Sequence, residues 1–240
     1  MAKKRLTTII TNIILIIIAG FCMVAGVTLS NKTDTVYANG TIINGAYYSG
    51  DKQGKNVALM INVYWGTEYL DGMLNSLDQF GAKCTFFVGG SWANTHTDYL
   101  EKIVSAGHEL ANHGYYHKEH EKLDASCNRD EIYRTHEVIK NNCKIDMNLF
   151  APPGGSYNKQ TVRVAAELGY KTIMWTRDTI DWRDKDATLI YSRAIKDMAG
   201  GDLILMHPTS ETAKALPDIL RFMASRGFVA NTVTATIGQN

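Results

Sequence analysis

Three of the seven histidines lie in the short stretch from His108 to His117. His113 and His117 are four residues apart. In a helical turn this spacing places both imidazoles on one face, about 5–6 Å apart at Cβ. Two neutral imidazoles at that distance form half of a typical zinc or other transition-metal site. The spacing alone also fits two exposed polar side chains without a ligand, so the rest of the chain must supply further ligands, a base and an acid.

Apolar strand-like segments alternate with helix-like segments about six times between residue 56 and the C-terminus. The predicted strands are 57–63, 84–88, 109–112, 172–175, 203–206 and 229–233, and the predicted helices are 68–80, 98–106, 124–142, 158–168, 188–198 and 213–225. This alternation with short connections indicates a mostly parallel α/β sheet or barrel. In such folds the chemistry lies at the carboxyl ends of the strands.

Polar side chains follow the predicted strands where each one ends. They are Asn62, the pair His113 and His117, the acidic residues Asp178 and Asp181 with Trp182, and His207. In a barrel the carboxyl ends of all strands open at one mouth. We therefore expect these side chains to converge there.

The motifs that hold these residues resemble those of the polysaccharide deacetylases, the NodB-homology domain of carbohydrate esterase family 4. The second to fifth motifs of that family are matched in order by 112–117, 150–157, 178–182 and 204–208. The resemblance covers 56–240. It implies a distorted (β/α) barrel of the NodB-homology type and hydrolysis of N-acetyl groups on cell-wall glycan, either peptidoglycan or a chitin-like polymer. The sporulation-associated branch of the family is the most similar.

The resemblance also implies roles for individual residues. His113 and His117 would hold a divalent metal, with Zn²⁺ the first choice. His207 would be the general acid, and Asp178 would orient it and tune its charge.

Three further residues would form the substrate side of the same cleft. The backbone N–H of Gly154 would donate to the oxyanion. Trp182 and Tyr157 would supply apolar walls for a sugar ring, although a tryptophan at position 182 is equally consistent with plain core packing.

Two motifs depart from the family pattern. In the first motif, Asn62 stands where the family has its general base, and Val63 stands where it has a metal-binding carboxylate. In the third motif, Ala151 replaces an arginine. An amide is not a useful base at neutral pH, and losing base catalysis typically removes about 10²–10⁴ of the rate. Because the family's metal-binding carboxylate is missing at Val63, the metal should be weakly bound or absent.

Two functions remain open on these residues. The retained histidines and Asp178 favour a deacetylase-like hydrolase. Asn62, Val63 and Ala151 favour a catalytically impaired pseudoenzyme that binds glycan or an envelope-assembly partner through the same cleft.

The N-terminus predicts export. Basic residues at 3–5 precede a run without charge at 6–29, which is long enough to span a bilayer. We expect an export signal or membrane anchor at 1–38, a linker at 39–55 and the deacetylase-like domain at 56–240. The domain would then be extracytoplasmic, either membrane-anchored or secreted. A net charge of +1 and the lack of a basic stripe give no support to nucleic-acid binding.

Overall fold

The computed structural model of the chain describes residues 35–37 and 40–238. These residues belong to one compact unit that begins at Thr35. The apolar run at 6–29, predicted to be an export signal or anchor, lies outside the described residues. No helix within the described ranges is both long and apolar enough to cross a membrane.

The described strands form a single sheet. They are β1 (Thr35–Tyr37), β2 (Gly40–Ile43), β3 (Ala46–Tyr47), β4 (Asn56–Val63), β5 (Thr85–Val88), β6 (Glu109–Asn112), β7 (Leu149–Phe150), β8 (Lys171–Ile173), β9 (Arg177–Asp178), β10 (Leu203–Met206) and β11 (Val229–Asn231). The spatial order is β1-β2-β3-β8-β7-β6-β5-β4-β10-β9, and β11 pairs with the start of β4.

The strands from β3 to β9 along this path run parallel, whereas the described pairs β1–β2 and β2–β3 are antiparallel. The path begins at β1 and ends at β9, so the barrel of described strands is open between them. This confirms the predicted fold class, a distorted (β/α) barrel.

Helices connect the strands and cover the outer face of the sheet. They are α1 (Thr67–Gln79), α2 (Gly90–Ala93), α3 (Thr97–Ser105), α4 (Ala125–Cys143), α5 (Lys159–Glu167), α6 (Ala187–Ile195), α7 (Ser210–Ser225) and α8 (Val233–Thr236), with 3₁₀ turns at His120–Lys122 and Pro153–Gly155. All six predicted helices are present within about three residues at each end. Four of these six begin at side-chain caps; for example, Asp124 accepts from the Cys127 N–H and Asn158 forms a capping box with Thr161.

Side chains along β4 point alternately into two separate apolar cores. Its odd-numbered residues, Val57 to Val63, pack in the large apolar cluster between the sheet and the helices. Ala58 and Met60 point to the other face, into a smaller cluster inside the barrel. Because side chains alternate along a strand, this register directs Asn62 toward the barrel mouth.

The predicted linker at 39–55 is wrong, because it contains β2 and β3. Ala46 is fully buried, and it pairs in parallel register with Thr172 on β8. The two strands are joined by Asn44 and Gly45, both at positive φ. An Asn-Gly pair in this conformation is a strong signal for a two-residue hairpin turn.

Candidate functional site

A cavity of about 410 Å³ opens at the carboxyl ends of the central strands. It is lined by Asn62, Trp65, His117, Gly154, Trp175, Asp178, Trp182, Leu205 and His207. Of the residues predicted to converge at one mouth, Asn62, His117, Asp178, Trp182 and His207 line this cavity, whereas His113 and Asp181 are not among its lining residues.

His113 and His117 come together on a loop and not on a helical turn as the spacing had suggested. The loop follows β6, and its backbone turns at Gly114 and His117, where φ is 69° and 55°. The two imidazoles are nevertheless close, with ring centroids 5.1 Å apart and planes 70° from parallel. The loop therefore brings the two rings together by a backbone path that is not helical.

The hydrogen bonding of His113 fixes its tautomer. Its Nδ1 lies 2.7 Å from the carbonyl oxygen of Ala151, which can only accept, so Nδ1 carries the proton and Nε2 presents a lone pair. Burial, and next the neighbouring His117, hold the pKa of His113 well below its usual value. Burial also lowers the pKa of His117. Both rings are neutral at neutral pH, which is the state that binds a metal.

His207 is held by Asp181 and not by Asp178 as predicted. The Nδ1–H of His207 donates to Asp181 Oδ1 over 2.8 Å, and its main-chain N–H donates to Oδ2 over 2.6 Å. The Thr212 hydroxyl also donates to Oδ2. Asp181 is 3% exposed, so it fixes the imidazole with Nε2 as the ring atom that can exchange a proton with the cavity.

Asp178 lines the cavity itself. Its Oδ1 accepts the N–H of Ile180 over 2.7 Å, and no described hydrogen bond joins it to His207. It is the only carboxylate among the described residues that line the cavity. Asp178 is therefore available to a bound ligand.

Asn62 is the polar end of β4 inside the barrel. It is 5% exposed, it lines the cavity, and its Oδ1 has no hydrogen-bond partner in the described structure. A buried, unpaired amide oxygen at this place fits a ligand or water donor or a metal ion. Val63 is fully buried in the outer apolar cluster, so a carboxylate at position 63 would have to be accommodated among apolar side chains.

Three tryptophans shape the cavity wall. Trp182 lines it with 57% of its surface exposed, as the resemblance implied. Trp65 stacks on His207, with ring centroids 5.9 Å apart and planes 6° from parallel. Trp175 is the third tryptophan that lines the cavity. Trp65 and Trp175 were not predicted as site residues, although Trp175 ends one predicted strand and Trp65 lies two residues after another.

Gly154 lies on the rim and Tyr157 lies elsewhere. Gly154 lines the cavity and is exposed, and its role as a backbone donor stays a prediction. The Tyr157 hydroxyl instead pairs with Tyr48 over 2.8 Å, and Tyr157 is not among the residues that line the cavity. The prediction of Tyr157 as a wall of this cavity is therefore wrong.

The residues present fit a divalent metal in part. His113 and His117 offer imidazole nitrogens, and Asn62 offers an unpaired amide oxygen nearby on the same mouth. The described residues contain no group of three histidine, cysteine or acidic side chains that could hold a metal. Catalytic zinc usually has three protein ligands, so this pair fits a weakly held metal. When bound, such an ion would supply Lewis-acid chemistry.

Comparison with known proteins agrees with this geometry. The family model for polysaccharide deacetylase matches residues 49–173. The uncharacterized protein YlxY of Bacillus subtilis is 37% identical over 187 residues, which cover 78% of this chain and 59% of that protein. The peptidoglycan-N-acetylmuramic acid deacetylase PdaA of Bacillus subtilis is 25% identical over 78% of this chain and 73% of its own.

Solved structures are similar over most of the chain. BA3943 of Bacillus anthracis, described as a CE4 family pseudoenzyme, aligns with a TM-score of 0.79 and 33% identity over 82% of this chain and 70% of its own. A BA3943 mutant with restored enzymatic activity aligns with the same TM-score and 31% identity, over 82% of this chain and 73% of its own. With a family model that matches more than half of its length, the chain belongs to the polysaccharide deacetylase family.

Proposed function

We propose that this chain binds N-acetylated cell-wall glycan in the cavity at the barrel mouth and is catalytically impaired as a deacetylase. The observation that carries the proposal is Asn62, an amide with an unpaired oxygen at the place where the family needs a base. The tryptophans at 65, 175 and 182 give apolar faces on which sugar rings can stack.

The relatives support the glycan class. PdaA acts on peptidoglycan N-acetylmuramic acid by its name, and BA3943 is described as a pseudoenzyme of the same esterase family. The retained His113 and His117 would hold a divalent metal weakly, and its identity stays part of the proposal.

A second function, weak deacetylation, is favoured by Asp178. Its carboxylate lines the cavity that His207 also lines, so the cleft keeps an acidic group and an oriented imidazole. In that case Asp178 would take a proton from a water that attacks the acetyl carbon, and protonated His207 would give its Nε2 proton to the amine as the C–N bond breaks, which leaves acetate and a free amine. An acetate-release assay with Asp178→Asn separates the two functions, because the change abolishes activity only if Asp178 is the base.

Glycan binding is tested with N-acetylated chitooligosaccharide and with purified peptidoglycan. We expect Trp182→Ala to weaken binding at least tenfold by calorimetry or pull-down. Tyr133→Ala is the matched control, because Tyr133 is 51% exposed and is not among the cavity residues. Equal binding by the parent and both variants would contradict recognition in this cavity.

The extracytoplasmic location and a link to sporulation are also proposals. They rest on the basic residues at 3–5, the uncharged run at 6–29 and the resemblance of the motifs. Protease accessibility of the domain in intact cells tests the location, and digestion by external protease is the expected result.

A further inference from the structure

Glu131 lies on α4, directly beneath the loop that carries His113 and His117. It is 1% exposed. Its Oε2 accepts the main-chain N–H groups of Tyr115 over 2.9 Å and of Tyr116 over 2.7 Å. Its Oε1 lies 3.0 Å from the Lys118 ammonium, without the geometry of a hydrogen bond. One carboxylate thus contacts the chain on both sides of His117.

We propose that Glu131 is a positioning residue that fixes this loop so that His117 faces His113, and that it thereby sets the divalent-metal affinity of the pair. The claim about metal affinity rests on the proposed function. The claim that Glu131 fixes the loop rests on the contacts of Glu131 alone.

The loop needs such an anchor because its backbone is unusual. His117 has a φ of 55°, in the left-handed region that non-glycine residues rarely adopt, so the surrounding contacts must hold it there. The first half of the loop has other anchors: the Gly114 N–H donates to Asn112 Oδ1, and the carbonyls of Gly114 and Tyr115 accept from α2. After Tyr115, Glu131 accepts the main-chain N–H of Tyr116 and lies beside the Lys118 ammonium. Other described contacts there are made with side-chain atoms, by Arg134 on Tyr116 and by Tyr64 on the His117 ring.

The space below the loop is tightly filled. A Cβ at Gly114 would lie 3.1 Å from His120 Nε2 and 3.5 Å from Glu131 Oε2. The carboxylate is therefore packed against the backbone that it binds. Its removal would leave two main-chain N–H groups facing a void, whereas a glutamine would keep an oxygen for them.

The test uses the full chain and four variants: Glu131→Ala, Glu131→Gln, Lys118→Met and Asp202→Ala. Asp202 is the matched control, a buried carboxylate that accepts the Ala199 N–H and the Arg177 guanidinium away from the loop. Two quantities are measured: Zn²⁺ affinity by competition with a chromogenic chelator, and amide exchange of the segment 113–118.

We expect Glu131→Ala to weaken Zn²⁺ binding about 10–100-fold, the usual effect of losing a group that orients a ligand. Amide exchange at 115 and 116 should become at least tenfold faster. Glu131→Gln should stay within about threefold of the parent in both measurements, because the amide oxygen still accepts both bonds. Lys118→Met should have a smaller effect than Glu131→Ala, and Asp202→Ala should leave both quantities unchanged.

The two measurements separate the two claims. If the parent binds no Zn²⁺ but exchange still rises in Glu131→Ala and recovers in Glu131→Gln, positioning by Glu131 is supported and the metal part of the proposed function fails. If Glu131→Ala changes neither quantity, or changes both no more than Asp202→Ala does, positioning by Glu131 is contradicted. A glutamine variant as defective as the alanine variant would contradict the hydrogen-bond argument.

Discussion

Asp181 holds His207 at two points, since its carboxylate accepts both the ring Nδ1–H and the main-chain N–H of that residue. The Thr212 hydroxyl donates to the same carboxylate. This buried network links the loop after β9 to the start of α7. It leaves Asp178, the neighbouring acid of the motif, free to face the cavity.

The first prediction compares these two acids. Asp181→Ala should lower the free energy of unfolding by roughly 2–4 kcal/mol, because three donors lose a buried charged acceptor. Asp178→Ala should cost less than about 1 kcal/mol. Chemical denaturation of both variants measures the difference, and an equal loss would contradict the assignment of Asp181 as the partner of His207.

The choice between these acids could not be made from the sequence. Both follow a predicted strand and both fit the motif. The loop turns back at Ile180, which has a φ of 54°. A β-branched residue rarely adopts this conformation. The pattern of residue types therefore does not predict the turn that brings Asp181 to His207.

Much of the fold was predictable because periodicity and caps are local. The strand 203–206 and the helix that Asp124 caps lie where the apolar pattern placed them. The Asn44-Gly45 pair indicates a hairpin, but the strands on either side are only four and two residues long, so their pattern does not distinguish this segment from a linker. The close approach of His113 and His117 was predicted, although their loop geometry depends on tertiary contacts.

The second prediction concerns metal removal. Zn²⁺ bound to the parent should be lost on dialysis against a mild chelator, because two imidazoles give a weak site. His113→Ala should abolish the remaining affinity, while His96→Ala, a change of a histidine outside the cavity, should not. Stoichiometric Zn²⁺ after dialysis would point to a third protein ligand, with Asp178 the first to examine.

The third prediction concerns His108 and acid stability. Burial lowers the pKa of His108 to about 4 from 6.5, so between these values the unfolded chain binds a proton that the folded chain does not. The stability from this group is complete above pH 6.5 and declines toward pH 4. His108→Leu should therefore reduce the loss of unfolding free energy between pH 7 and 4.5 by about 2 kcal/mol. An identical loss in parent and variant would contradict this.

The fourth prediction concerns the beginning of the folded unit. A chain that starts at Thr35 should keep the fold, because the described unit begins there. A chain that starts at Asp51 lacks β1, β2 and β3, and its β8 loses the pairing with Ala46. It should be less stable by more than about 2 kcal/mol in thermal or chemical unfolding. Equal stability of the two chains would show that these strands contribute little.

The central claim is that Asn62 limits catalysis, and acetate release from N-acetylated chitooligosaccharide and peptidoglycan tests it most directly. Asn62→Asp restores a base in nearly the same volume, and Ala151→Arg restores the missing motif residue. Val63→Asp restores the family's carboxylate at position 63, at some loss of stability because Val63 packs in the outer apolar cluster. With added divalent metal, the double variant at 62 and 63 should bind metal more tightly than the parent and release acetate about 10²-fold faster. If Ala151 is limiting, the triple variant should show this gain. A parent that already matches the triple variant would contradict the claim, because another group would then serve as base.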